Sequence, residues 1–175
     1  KSEYSKIIDK SIFPGIQGGP FMNMIAAKAV AFEEASRKDF KEYSSQVVRN
    51  AKELSAVISK LGFRIVSGGT DNHQFTIDLS KNNLTGAEIS VLLRKIGIIV
   101  NKNGIPYDTL PPKITSGIRL GTPALTSRGM KEDQMNILGN LIVEVINSRN
   151  DKEKLNDLSN DVKELANTYK LPGVD

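Results

Sequence analysis

The sequence predicts an α+β fold, in which a small and mostly antiparallel sheet packs against helices. The apolar residues have helical spacing at both ends of the chain and alternate with polar residues in the middle. The resulting order is helix, helix, strand, strand, helix, strand, strand, helix, helix, which favours this class. The 175 residues, 39% of them hydrophobic and 25% charged, suffice for one domain, or one domain and part of a neighbour.

The first third of the chain is predicted to be helical after an irregular start. Residues 11–20 hold several glycines and prolines and are expected to form a loop, with Pro20 in the first turn of the next helix. Apolar residues recur at helical spacing over 21–30 and again over 40–61. Gly62 is expected to end the second helix.

The middle of the chain changes to strand periodicity. Four short strands are predicted, at 63–66, 74–79, 98–100 and 116–120. Thr85 and Glu88 form a capping-box pattern that begins a helix, and Gly97 is expected to end it. Three prolines and a glycine make 101–113 a loop.

Two amphipathic helices, around 135–145 and 155–169, complete the chain. Residues 1–35 contain no strand on which their helix could pack. We therefore expect them to be the end of a larger domain and the start of a connecting helix, and 36–175 to be a small C-terminal domain. The chain begins with Lys1 rather than methionine, which leads us to expect a fragment or a processed product.

Composition excludes several classes of function. The absence of cysteine excludes disulfides and thiolate chemistry and agrees with a cytoplasmic location. His73 is the only histidine, and it is interpreted as a structural residue, with no metal site expected. The net charge is +4, but lysines alternate with acids, so a nucleic-acid surface is not favoured. No apolar run is long enough for a transmembrane helix.

The glycine loop is the first candidate site. Gly18 and Gly19 stand just before a predicted helix, where free backbone N–H groups and the helix dipole favour an anion. Gly19 has no side chain to block the close approach of a phosphate. The same pattern also occurs in ordinary loops that precede helices.

Arg119 and the Asn-Lys-Asn segment are the other candidates. Ile118 and Leu120 share one face of a strand, so Arg119 is expected on the other face, between Gly117 and Gly121. A guanidinium can bind a carboxylate through two parallel hydrogen bonds. The same pattern fits a solvent-facing arginine.

The segment 101–103 is expected at the end of a strand. The asparagine amides there could bind the edge of a heterocycle, because each amide both donates and accepts hydrogen bonds. Ordinary turn chemistry would account for the same residues.

Taken together and in order, these motifs resemble one family. FPGIQGGP, MIAAKAVAFEEA, VSGGTDNHQF, LTGAEI, IIVNKN and TSGIRLGTPALTSRG resemble the successive signatures of serine hydroxymethyltransferase, over about residues 12–147. The resemblance implies the C-terminal domain of a fold-type I transferase that depends on pyridoxal phosphate. It also implies one-carbon transfer between serine and tetrahydrofolate, with glycine and 5,10-methylenetetrahydrofolate as products, in a cytoplasmic homo-oligomer expected to be a dimer.

The resemblance assigns roles to individual residues. Arg119 matches the arginine that binds the carboxylate of serine or glycine. Gly19, with Gly18 beside it, matches the glycine that contacts the cofactor phosphate from the partner subunit. Asn103 matches the asparagine that contacts the pterin ring of folate. The folate-binding loop is matched by Pro111, Pro112 and Lys113, where the family usually has Ser-Pro-Phe and only the middle proline agrees.

The cofactor-binding lysine is missing from this sequence. In the family it belongs to a Thr-His-Lys motif upstream of the matching region, whereas the single histidine here is followed by Gln74. We therefore expect the chain alone to hold no catalytic residue, to bind no cofactor covalently and to be inactive.

The sequence leaves two alternatives open. The chain could belong to another fold-type I enzyme, an aminotransferase or a glycine acyltransferase, because these also place an arginine on a C-terminal strand. It could also be a basic α+β module that binds RNA or protein, although no cluster of basic and aromatic residues supports this.

Overall fold

The computed structural model describes residues 1–173, and it divides the chain into two compact units. The first is Lys1–Lys41 and the second begins at Glu42. The first unit holds α1 (Ser5–Lys10), α2 (Met22–Ser36) and the start of α3 (Lys38–Lys60). Every residue of Lys1–Lys41 is exposed, so this unit has no core of its own.

The start of α2 differs from the prediction. The helix begins at Met22, and Pro20 lies outside it rather than in its first turn. Phe21 is the N-cap, with an extended backbone (φ −76°, ψ 124°). The fixed φ of proline suits an extended segment as well as a first helical turn, so the residue type alone does not locate the helix start. The preceding stretch Ser11–Ile16 contains one turn with π-helical hydrogen bonding, but Phe13 (φ −131°, ψ 123°) and Pro14 (φ −93°, ψ 20°) leave the helical region, so the segment is irregular, as predicted.

The second unit contains a four-stranded antiparallel sheet, which confirms the predicted α+β class. Its strands are β1 (Arg64–Ile65), β2 (Gln74–Asp78), β3 (Asn101–Asn103) and β4 (Gly117–Gly121). Their order across the sheet is β1-β2-β4-β3, and each neighbouring pair is antiparallel. The strand β4 is therefore central, between β2 and the edge strand β3.

One face of the sheet is apolar and the other is polar. Phe75, Ile77, Ile118 and Leu120 are buried in the core. The core-forming helices of this unit are α3, α4 (Gly86–Ile96), α6 (Glu132–Asn147) and α7 (Lys152–Thr168), with the short α5 (Pro123–Ser127) after β4. Arg119 alternates with the buried pair and is half-buried on the opposite face, as the periodicity predicts.

The ends of α3 and α4 follow the predicted signals. The Thr85 hydroxyl accepts a hydrogen bond from the Glu88 N–H at 3.2 Å, which caps the start of α4. Gly97 ends α4 with φ 102°, and Gly62 follows α3 with φ 94°. A side chain would be strained at both backbone angles.

The third strand was predicted too early. It was expected at 98–100, but the ladder with β4 forms at Asn101–Asn103. Ile98 and Val100 are buried side chains that anchor the segment in the core, and Ile99 between them is exposed. Alternating burial therefore reports which side chains pack inward, and it does not locate the backbone pairing.

A short helix follows β4 directly. The helix α5 was not predicted, although Pro123 stands in its first turn, where proline is common. Among residues 1–173, no helix combines the length and the apolar character that crossing a bilayer requires.

Candidate functional site

The pairing of β3 with β4 places Arg119 beside two asparagines. Asn101 lies directly opposite Arg119, and Asn103 lies opposite Gly117. Because residues two apart on a strand share a face, both asparagines lie on the same face as Arg119. They line a pocket of about 430 Å³ between β3, Arg119 and the outer side of α4. The helix contributes Ala87, Ser90, Val91 and Arg94.

The pocket is positively charged. Arg94, Lys102 and Arg119 line it, and none of the described residues that line it carries a carboxylate. Within residues 1–173, no hydrogen bond or salt bridge engages the Arg119 guanidinium. Its N–H groups can therefore bind a ligand without first breaking an ion pair within the described chain. A carboxylate matches them, because its two oxygens accept two parallel hydrogen bonds.

Gly117 has a packing role that the sequence argument missed. A Cβ atom on Gly117 would lie 2.8 Å from the Ile77 carbonyl oxygen and 2.9 Å from Cγ2 of Ile105. On Gly121, the nearest atom to a Cβ would be the His73 carbonyl oxygen at 3.4 Å, an ordinary contact. Glycine is thus required at this position because β2 and the loop between β3 and β4 approach it closely, and not only because it leaves space beside Arg119.

The predicted folate-binding residues are separated in the structure. Asn103 lines the pocket, and its Nδ2 donates to the Gly104 carbonyl oxygen at 2.8 Å. Pro111, Pro112 and Lys113 are exposed at the far end of the loop and are not among the pocket's lining residues. The structure therefore brings Arg119 together with Asn103 but not with the proline segment.

Sequence reasoning missed Asp108, which organises the loop between β3 and β4. Its carboxylate accepts hydrogen bonds from the backbone N–H groups of Ile105 (3.2 Å), Leu110 (3.0 Å) and Ser116 (2.9 Å), and from the Ser116 hydroxyl (2.6 Å). The bonds from the Ser116 hydroxyl and then from the Leu110 N–H lower the pKa of Asp108 to about 2. The sequence did contain a signal for such a loop-organising residue. An aspartate in a loop rich in prolines often accepts hydrogen bonds from nearby backbone N–H groups.

The glycine loop belongs to the first unit. Gly18 and Gly19 are exposed, and a Cβ on either would meet no atom of the described chain within 4 Å. The N-cap residue Phe21 provides no side-chain hydrogen bond at the start of α2. Unhindered backbone next to an uncapped helix start is compatible with a phosphate.

His73 takes part in a hydrogen-bonded turn. Its carbonyl oxygen accepts from the Thr122 N–H at 3.1 Å. Next to it, Asn72 Oδ1 accepts from the Gln74 N–H, and Thr70 Oγ1 donates to the Gln74 carbonyl oxygen. Among residues 1–173, no group of three or more histidine, aspartate or glutamate side chains could hold a metal ion.

The polar face of the sheet lacks the aromatic residues of an RNA-binding platform. Phe75 is the one aromatic residue in the four strands, and it is buried on the apolar face. Single-stranded RNA is usually bound by stacking on exposed aromatics, so this face does not favour an RNA-binding module.

The comparison with known families agrees with the motifs. A family model described as serine hydroxymethyltransferase matches residues 1–142. The matched region includes the glycine loop, the cationic pocket and the loop organised by Asp108. The last turn of α6 and all of α7 lie beyond it.

Proposed function

Because the chain belongs to the serine hydroxymethyltransferase family, we propose that it supplies the carboxylate-binding arginine and the folate-binding loop of such an enzyme. The enzyme would interconvert serine plus tetrahydrofolate with glycine plus 5,10-methylenetetrahydrofolate. The observation that carries the proposal is the Arg119 guanidinium beside Asn101 and Asn103. No hydrogen bond or salt bridge within residues 1–173 engages this guanidinium, and the described lining of its pocket contains no carboxylate.

Arg119 has the chemistry of a clamp for the amino acid substrate. Two parallel hydrogen bonds to the substrate carboxylate fix both its position and its orientation, which a single ammonium group cannot do. Fixing the orientation of the substrate relative to the reacting bond is a large part of catalysis. Arg94 and Lys102 add positive potential at the same pocket and attract the anionic substrate.

Asn103 is assigned to the folate co-substrate. Its side-chain amide offers a donor and an acceptor, as binding to the edge of a pterin ring requires. The segment of Pro111, Pro112 and Lys113 is assigned to the surroundings of folate. Lys113 stands where the family usually has an aromatic residue, so this position offers a charge in place of ring stacking.

Pyridoxal phosphate is the cofactor that the family requires, and it acts as an electron sink when bound. Gly18 and Gly19 would receive its phosphate, since no atom of the described residues lies within 4 Å of the position of a Cβ on either glycine. In the proposed homo-oligomer they would act across the subunit interface. The lysine that holds the cofactor would come from a segment upstream of these 175 residues.

The clamp is tested by Arg119→Lys in the complete enzyme. We expect a strong rise in the KM for serine and a lower kcat, because lysine keeps the charge but loses the two-point geometry. Steady-state kinetics with serine and tetrahydrofolate measure both constants. Arg149→Lys, at an exposed arginine beyond the end of α6, is the matched control. Unchanged serine kinetics in Arg119→Lys would refute the assigned role.

A further inference from the structure

We propose that Asp108 is a positioning residue for the folate co-substrate. Its carboxylate holds the loop between β3 and β4 in the ligand-receiving conformation before the ligand binds. This inference rests on the proposed function, because it concerns the residues that the proposal assigns to folate. Asp108 is not among the lining residues of the pocket and acts through the loop.

The carboxylate joins three separate parts of the loop. Oδ2 accepts from the N–H groups of Ile105 and Ser116, while Oδ1 accepts from the Leu110 N–H and the Ser116 hydroxyl. Ile105 comes two residues after Asn103, and Ser116 comes three residues before Arg119. One side chain therefore fixes the exit of β3 and the entry of β4 relative to each other.

The end of the loop is also tied to the helix that lines the pocket. The N–H groups of Gly86 and Ala87 donate to the carbonyl oxygens of Thr115 and Ile114, each at 2.9 Å. Ala87 itself lines the pocket. The position of the loop is thus coupled to α4 as well as to both strands.

Two residues of the loop have backbone angles that non-glycine residues rarely adopt. Tyr107 has φ 60° and Thr115 has φ 58°. Such conformations persist where the surrounding structure determines them, and they concentrate at binding sites. Asp108 stands directly after Tyr107 and bonds the residue directly after Thr115, so its hydrogen bonds are placed to hold both.

An ionised aspartate suits this role better than its nearest substitutes. The carboxylate offers only acceptors, and all four of its hydrogen bonds here come from donors. Asparagine would turn an NH2 group towards N–H donors and leave some of them unpaired. Glutamate would move the carboxylate outward by one methylene group.

The experiment compares Asp108→Asn with the wild type in the complete enzyme. We expect the KM for tetrahydrofolate to rise by about five- to tenfold, the factor for losing about one net hydrogen bond. The KM for serine should stay within about twofold, because Arg119 is held by the sheet ladder. Asp157→Asn, at an exposed aspartate of α7, is the control and should change neither constant.

Hydrogen exchange of the loop amides is the second measurement. In the ligand-free variant we expect faster exchange at Ile105, Leu110 and Ser116, and recovery of protection when folate saturates the enzyme. If Asp108→Asn does not fold, Ser116→Ala tests the same proposal, because it removes only the hydroxyl group that donates to Asp108. That variant should show the same split between the two Michaelis constants, with a smaller rise.

The outcomes separate this inference from the proposed function. A wild-type enzyme whose reaction is independent of folate would overturn the proposed function, and this inference with it. A folate-dependent wild type with an unchanged folate KM in the variant would overturn this inference alone. Equal rises in both Michaelis constants, with a lower melting temperature, would show a general structural role and overturn it too.

Discussion

At the scale of single residues, buried polar side chains connect α3 to the segment that follows β4. Asn50 is fully buried on α3. Its Nδ2 donates to Thr126 Oγ1 at 2.8 Å and to the Met130 carbonyl oxygen at 2.9 Å, while its Oδ1 accepts from Gln46. Close by, Thr122 Oγ1 donates to the Val47 carbonyl oxygen at 2.8 Å. These bonds join α3 to Thr122, directly after β4, and to Thr126 and Met130 beyond it.

Replacing this amide should be costly. We expect Asn50→Ala to lower the free energy of unfolding by about 1–3 kcal/mol, because it leaves buried partners without a hydrogen bond. Urea unfolding of the 175-residue chain measures the change. Asn156→Ala, at an exposed position on α7, should cost less than about 0.5 kcal/mol. Equal effects of the two substitutions would contradict the importance of the buried network.

The low pKa of Asp108 predicts a specific dependence of stability on pH. The folded state holds the pKa of Asp108 at about 2, below its ordinary value of 3.8, so ionised Asp108 stabilises the folded state. That contribution is complete above the unfolded pKa and is lost as pH falls towards the folded one. We expect the stability difference between wild type and Asp108→Asn to be constant above about pH 5 and to shrink between pH 3.8 and about 2. A difference that grew on acidification would contradict this assignment.

At the scale of elements, the start of α4 packs unusually close to β4. A Cβ atom on Gly86 would overlap the Gly117 carbonyl oxygen and Thr115 Oγ1. Gly86 needs no positive φ, so it is the contact between the helix and the strand, and not the backbone angle, that requires glycine here. This contact sets the distance between the two elements that frame the cationic pocket.

Gly86→Ala should therefore separate the helix from the strand. We expect a loss of about 1–3 kcal/mol in stability, as overpacking typically causes. In the complete enzyme, the KM for serine should rise as well, because α4 and Arg119 would shift relative to each other. Thermal unfolding and serine kinetics measure the two effects. Gly69→Ala is the control, because a Cβ there meets no atom of residues 1–173 within 4 Å and the backbone of Gly69 is extended (φ 162°).

The last helix is held to the core although it lies beyond the matched family region. Leu158 and Val162 are buried against the core. At the end of α7, Arg128 donates to the carbonyl oxygens of Ala166 and Tyr169. A cation at the C-terminal end of a helix also interacts favourably with the helix dipole. An arginine directly after α5 thus anchors α7.

At the scale of the whole molecule, the first unit exposes many apolar side chains. Large exposed apolar residues of Lys1–Lys41 include Ile7, Ile16, Phe21, Met22 and Phe32. A surface of this composition is typical of a segment that is covered by other protein. It supports the proposal that residues 1–35 complete a cofactor-binding domain, with 36–175 as the small domain.

The isolated 175-residue chain is expected to be inactive. We expect that pyridoxal phosphate added to the 175-residue chain leaves with the free cofactor on desalting, because the cofactor-binding lysine is absent from the sequence. Absorption spectra before and after desalting, and turnover of serine, measure this, with the complete enzyme as positive control. Retained cofactor absorption together with serine turnover would overturn the expectation.

The sequence by itself determined the fold class, most of the helices and the family. Helical and strand periodicities follow from which side chains must be buried, and that requirement is visible in the order of residues. Helix ends at Thr85 and Gly97 were predictable because capping and left-handed turns depend on local residue types. The orientation of Arg119 followed from alternation with its two apolar neighbours for the same reason.

Only the tertiary structure decided the pairing of β3, the hydrogen bonds of Asp108 and the need for glycine at Gly86 and Gly117. Each of these depends on atoms from distant parts of the chain, such as the donors that converge on one carboxylate or the backbone that approaches a missing side chain. Residue order does not encode such distances locally. They arise when the sheet, the loop and α4 pack together, because close packing makes a single atom at one position exclude or require another elsewhere.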